Sequence, residues 1–348
     1  MNKSGNHPII LWLLCGCFMI FCMVVIGGIT RLTGSGLSIT EWRPIMGTLP
    51  PLNEADWLIA FEKYKEIPQF QKINYDFNLS DFKSIFWWEY IHRLFGRLIG
   101  IVFIVPFIWF LVKGRFEKNI LGKVLFLFLL GGLQGFLGWF MVKSGLADRT
   151  SVSHIRLAIH LITAFITFGF TLYFALELTD KTKPKFSRRI NNLVKTLFFF
   201  VIIQIIYGAF VAGMHAGKIY NTFPLMNGSL IPEGVVNMSP AWLNFFENQG
   251  TVQFMHRTFA YIIVVLTSVL FILAKIEKVD NKQSSAIRVL LAAVLIQFLL
   301  GVFTLLSGVN FLLAIVHQAA AFFLFSAMVY LLFIFRRTVS VKDKLQEA

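Results

Sequence analysis

The run Trp87-Trp88-Glu89-Tyr90-Ile91-His92-Arg93-Leu94-Phe95-Gly96-Arg97-Leu98-Ile99-Gly100 continues, without another charge, through Ile101-Val102-Phe103-Ile104-Val105-Pro106-Phe107-Ile108-Trp109-Phe110-Leu111-Val112. At ~1.5 Å per residue a helix of this length crosses the ~30 Å of hydrocarbon in a bilayer. It also carries a carboxylate, an imidazole and two guanidinium groups near one end. Working outward, seven more apolar runs of spanning length lie near 9–30, 120–142, 154–178, 193–215, 252–274, 286–306 and 312–335. With 57% of 348 residues hydrophobic and only 14% charged, the chain has more apolar surface than one water-soluble core can hide. These runs predict an all-α polytopic membrane protein with eight transmembrane helices.

The net charge of +14 is spread between the apolar runs and forms no single patch, which argues against a nucleic-acid partner. Lys113, Arg115, Lys118 and Lys123 fall in one connection. Lys181, Lys183, Lys185, Arg188, Arg189 and Lys195 fall in the next, and Lys275, Lys278, Lys282 and Arg288 in a third. By the positive-inside rule these are cytoplasmic. Arg336, Arg337, Lys342 and Lys344 agree, so an even helix count puts both termini inside. The first run leads into Gly27-Gly28-Ile29-Thr30-Arg31 without a small-residue cleavage pattern, and reads as a retained helix. Cys15, Cys17 and Cys22 all lie in it; Cys15-Gly16-Cys17 is either a redox or metal pair or plain buried thiols.

The second half of the chain repeats the first. Gly28, Pro44 and Met46 match Gly208, Pro224 and Met226 at an offset of 180, and Tyr90-Ile91-His92-Arg93 matches Phe254-Met255-His256-Arg257 at 164. Gln134 to Gly138 matches Gln297 to Gly301 at 163, and His160 matches His317 at 157. The expected architecture is two pseudo-symmetric four-helix bundles, residues 1–178 with a long outer loop at 31–86, and residues 196–348. A basic linker at 179–195 joins them. In the outer loop, Ala55 to Tyr64 is amphipathic, with Trp57, Leu58, Phe61 and Tyr64 suited to a helix on the membrane surface.

Four of the seven histidines belong to the repeat. His92 and His160 sit near the starts of the second and fourth helices, and His256 and His317 near the starts of the sixth and eighth, all at similar depth. In an up-down bundle the even helices face each other across a diagonal. Imidazoles there can ligate a haem iron from opposite faces. A lone membrane histidine usually bonds a neighbouring helix, but four at matched depth favour haem; zinc would want carboxylate or thiol beside them. Arg93, Arg97 and Arg257 either pair with haem propionates or snorkel to the interface. His154 and His215 read as solvated loop histidines or entrance residues, and His7 as a tail residue.

The halves differ at one chemically important position: three residues before His92 stands Glu89, and three before His256 stands Gln253. Residues three apart share a helix face, so Glu89 stands beside whatever His92 ligates. A carboxylate near the bilayer is a functional candidate, with pairing to Arg93 or Arg97 as the plainer alternative. The asymmetry makes the first half reactive and leaves the second holding a fixed cofactor.

These residues, with Gly27-Gly28-Ile29-Thr30-Arg31-Leu32-Thr33-Gly34-Ser35-Gly36-Leu37-Ser38, Trp42-Arg43-Pro44 and Pro50-Pro51, resemble the haem A synthase family, over nearly the whole chain. That family oxidises a ring methyl group of haem O to the formyl group of haem A for cytochrome oxidase. The resemblance implies that His256 and His317 ligate a resident haem b, that His92 and His160 bind haem O, and that Glu89 takes part in the oxidation. It implies membrane lipid and haem O as partners, with haem O synthase and the cytochrome oxidase assembly machinery beside them. It also places the chain in a bacterial inner membrane. Some members carry cysteine pairs in outer loops; this chain has none there, which fits the cysteine-free, mitochondrial-like type. With no nucleotide or iron–sulfur signature, the electron-transfer partner is external. A two-haem electron-transfer cytochrome and a haem transporter are the competing readings.

Overall fold

The computed structural model describes residues 6–42, 46–147, 149–179 and 186–336. Eight long helices carry the chain back and forth: α1 (His7–Leu32), α4 (Leu79–Val112), α5 (Lys118–Ala147), α6 (His154–Thr179), α7 (Arg188–Gly213), α9 (Gln249–Ile276), α10 (Asn281–Leu306) and α11 (Phe311–Ile334). Each is long and apolar enough to span a membrane. The shorter helices α2 (Glu54–Lys65), α3 (Pro68–Lys72) and α8 (Asn244–Glu247) lie in the two long connections on the side of the chain where α1 ends.

Side-chain caps start several spans: Asn78 with Asp81 forms a capping box at α4, and Asn248, Asp280 and Asn310 accept first-turn N–H groups of α9, α10 and α11. Because of that cap α4 begins at Leu79, eight residues before the apolar run expected from hydropathy. Its extra turns carry Phe82 and Phe86, which bury Trp57, Phe61 and Tyr64 of α2 in an aromatic cluster. The amphipathic segment is therefore a helix, as expected, but its apolar face packs on α4 and not on lipid; only Leu58 of the four is exposed. Arg188, Arg189 and Lys195 lie in α7, so the expected linker is shorter than 179–195. Arg43, Pro44, Lys181, Lys183, Lys185, Arg337, Lys342 and Lys344 lie outside the described residues.

α1, α4, α5 and α6 form an incomplete ring, open where α4 and α5 barely meet, with α4 and α6 on its diagonal; α7, α9, α10 and α11 form a second, closed ring with α9 opposite α11. The rings are joined broadly. α6 packs on both α7 and α11, and α1 on α11, so the largest apolar core runs from Cys17 and Phe165 through Phe322 and Phe325. Cys15 is exposed, Cys17 buried and Cys22 half-buried, and all three are free thiols of α1.

Candidate functional site

All four repeat histidines, His92, His160, His256 and His317, line one cavity of about 1390 Å³. That is well beyond the roughly 300–1,000 Å³ of a pocket for one drug-sized ligand. His92 and His160 line the cavity from α4 and α6, and His256 and His317 from α9 and α11. Each ring also faces a glycine on the neighbouring helix. A Cβ would lie 3.6 Å from His92 at Gly27, 3.4 Å from His160 at Gly138, 3.3 Å from His256 at Gly208 and 3.0 Å from His317 at Gly301. Four imidazoles in four glycine notches form a repeated device that lets helix backbone approach the ring. The matching notches set the first-helix offset at 181, Gly27 with Gly208, one more than the 180 read from Gly28.

The notched histidines share second partners. Gln134 donates to the His160 carbonyl at 3.4 Å, and its repeat mate Gln297 donates to the His317 carbonyl at 3.1 Å and also lies 3.2 Å from the His317 Nδ1. Gln204 reaches His256 Nε2 at 3.4 Å. The Nδ1 atoms of His160 and His256 are buried without a protein partner. Among the described residues no three of His, Cys, Asp and Glu converge as a metal-ion site needs. The donor set comes as two pairs of imidazoles on diagonal helices, which suits the two axial positions of a porphyrin iron.

Glu89 is buried and is the only carboxylate among the residues lining the cavity. One oxygen accepts from Arg93 Nε at 3.0 Å and Nη2 at 2.6 Å; the other accepts from Ser38 Oγ and the Ile39 N–H, both at 2.8 Å. Arg93 also donates to the carbonyls of Glu41 and Ile39 at 3.0 and 2.8 Å. Arg257 does the same in the second half, donating to Thr222 and Tyr220 at 2.9 and 2.8 Å. Each arginine thus fastens the long connection after its half's first helix to the helix bearing the histidine. Gln253, in place of Glu89, donates to the Tyr220 carbonyl at 3.0 Å.

A family model described as cytochrome oxidase assembly protein matches residues 10–329. The chain belongs to that family. It is 48% identical to the haem A synthase of Flavobacterium johnsoniae over 95% of this chain and 98% of that one. It is similarly 48% identical to that of Flavobacterium psychrophilum, over 94% and 98%. With the haem A synthase of Nitrosomonas eutropha it shares 44% identity over 94% of each chain.

In this family member the expected site residues gather as follows. Glu89, Arg93, Arg97 and Arg257 line the cavity with the four histidines. His215 lines it too, 3.3 Å from Arg31 Nη2, and holds a left-handed backbone at φ 55°. Burial first, then Arg31 and Lys218, push the His215 imidazole below its usual value. His154 is not a solvated loop residue: it is buried against Phe210, with Nε2 2.9 Å from the Phe246 carbonyl, and stands outside the cavity. The notch glycines stand in the sequence as repeat and motif positions but not as partners of the histidines, and Gln204 and Gln318 are not evident from it. Gln318 donates to the Val24 carbonyl at 2.7 Å and fills the space a Cβ on Gly28 would need, linking α11 to α1.

Proposed function

We propose that this chain is a haem A synthase: it oxidises one ring methyl group of haem O to the formyl group of haem A for cytochrome oxidase assembly. The observation that carries this reading is the cavity, where two glycine-notched histidine pairs meet a single carboxylate. His256 and His317 hold a resident haem b, and His92 and His160 hold haem O. Haem b bound there supplies a one-electron redox centre beside the substrate. His92 and His160 fix the macrocycle. Glu89, three residues before His92, is the cavity's one carboxylate, holds Arg93 beside the substrate and takes part in the oxidation. Arg31 and Lys218 give the cavity a cationic end for propionates, and Arg97 lies five residues along α4 from His92.

The positive-inside pattern puts the histidine end of the spans outward and both termini in the cytoplasm, in a bacterial inner membrane. Residues 1–178 form the substrate half and 196–348 the cofactor half. Electrons leave through an external partner.

Extraction of pigment from the purified protein tests the reading. Haem O or haem A beside haem b supports it; haem b alone makes the chain an electron-transfer cytochrome. His256→Ala or His317→Ala removes the resident haem b. His92→Ala or His160→Ala leaves it in place and abolishes haem A. Loss of haem b from the second pair of variants reverses the assignment of the halves.

A further inference from the structure

The halves differ in how far the cavity runs beyond the histidines. In the second half its lining stops at Val201 on α7, Val264 on α9 and Val294 on α10, seven or eight residues from Gly208, His256 and Gly301. In the first half it continues to Trp12 on α1, Ile104 on α4 and Leu127 on α5, which are fifteen, twelve and eleven residues from Gly27, His92 and Gly138. At ~1.5 Å per residue the first half is deeper by roughly 6–12 Å.

Glycines carve this extension. Gly16, Gly96, Gly100, Gly131 and Gly135 line the cavity, and a Cβ at Gly100, Gly131 or Gly135 would meet nothing within 4 Å. The matching residues of the second half are Leu197, Ala260, Val264, Val294 and Phe298. Every one is larger. Helix contact follows the same pattern: α9 packs along α10, whereas α4 and α5 barely touch.

The walls of the extension are apolar in effect. Trp12 closes its floor against Phe103, ring centroids 4.9 Å apart, and spends its indole N–H on the Val102 carbonyl at 3.0 Å. Thr167 and Thr171 donate their hydroxyls to carbonyls of their own helix. Arg97, between Gly96 and Gly100, is the charged residue nearest the slot; the remaining walls leave no free donor and take a hydrocarbon chain. Haem O differs from haem b by an isoprenoid side chain, which leaves the macrocycle on the edge opposite the propionates. The cavity has the same polarity, with Arg31 and Lys218 at one end and this slot at the other.

We infer that the glycine-lined extension between α1, α4, α5 and α6 is the binding site for the isoprenoid tail of haem O, and that it selects haem O over tail-less haem. The inference rests on the proposed function and adds the feature by which the substrate is told from the cofactor.

The test uses the detergent-purified full chain with its resident haem, titrated with haem O and with protohaem by absorbance. The double variant Gly100→Val/Gly131→Val copies Val264 and Val294, and Gly16→Leu copies Leu197. Replacing glycine inside a helix favours the helix, so folding survives, and an unchanged resident-haem spectrum confirms it. Wild type binds haem O more tightly than protohaem. In each variant haem O affinity falls by about tenfold or more, equivalent to losing two buried methylenes, while protohaem affinity is unchanged. Equal weakening of both, or of neither, overturns the inference. So does a variant that keeps haem O affinity but loses co-purified phospholipid, which would make the slot a lipid site. If wild type takes up no second haem that His92→Ala removes, the proposed function falls as well.

Discussion

Replacing Glu89 with glutamine separates what this carboxylate holds in place from what it does. Its two oxygens face only donors, Arg93 on one side and Ser38 with the Ile39 N–H on the other. Glutamine offers one oxygen and one NH2, so either orientation turns an amide donor toward donors. The pair is buried, with 3% of the Glu89 and 13% of the Arg93 side chain exposed. Breaking such a pair costs about 3–5 kcal/mol when the survivor is stranded. Arg93 keeps the Ile39 and Glu41 carbonyls, so one charged hydrogen bond and one stranded donor set the loss at roughly 2–3 kcal/mol.

The matching Gln253 is no precedent, because its connection presents the Tyr220 carbonyl where the first half presents an N–H. The repeat alone therefore does not make glutamine at 89 structurally neutral. The assay combines thermal melting of the purified protein, the spectrum of the proposed resident haem b, and the ratio of haem O to haem A in membranes. Glu89→Gln melts earlier, keeps its resident haem and makes no haem A. Glu89→Gln/Arg93→Gln removes both charges and regains most of the stability but not the activity. Parental melting and haem A from Glu89→Gln would refute the reasoning; haem A from the double variant would leave Glu89 a purely structural role.

Gly213→Ala puts a methyl group 2.7 Å from His154 Cβ and 2.9 Å from its backbone Cα, so α6 and α7 must separate. Melting shows a loss of about 1–3 kcal/mol, whereas Gly132→Ala, which points into open space, melts no earlier than the parent. The His215 imidazole, held below its ordinary 6.5 by burial and by Arg31 and Lys218, refuses in the folded chain a proton that the unfolded chain accepts. Stability therefore falls as pH drops below about 6.5 and levels off once the folded form is protonated too. His215→Asn keeps the left-handed backbone and flattens that pH dependence in melts; an unchanged slope rules the imidazole out as its source.

The spans were readable because a run such as Ile101 to Val112 has no soluble alternative. What hydropathy missed was decided by capping and by tertiary contact. α4 starts at Leu79 because Asn78 caps it and Phe82 packs under Trp57, and neither fact belongs to a hydrophobic window. The four histidines and Glu89 were visible through the repeat, which turns separate residues into matched pairs. Their glycine notches were not, since Gly138 and His160 are joined only by the packing of α5 on α6. His154 looked solvated because it opens a helix after a short loop; the second half's Phe246 and Phe210 cover it.

The bond from Gln318 to the carbonyl of Val24 joins residues 294 positions apart. It lies one residue from His317 and four residues before Gly28, the glycine over which the Gln318 side chain closes. During synthesis the first four spans enter the membrane with that edge of α1 uncovered, and it stays so until the last helix arrives. The half that is made first is therefore finished last. A ribosome that stalls before α11 leaves a chain whose opening helix packs on α4 and α6 but lacks its third neighbour.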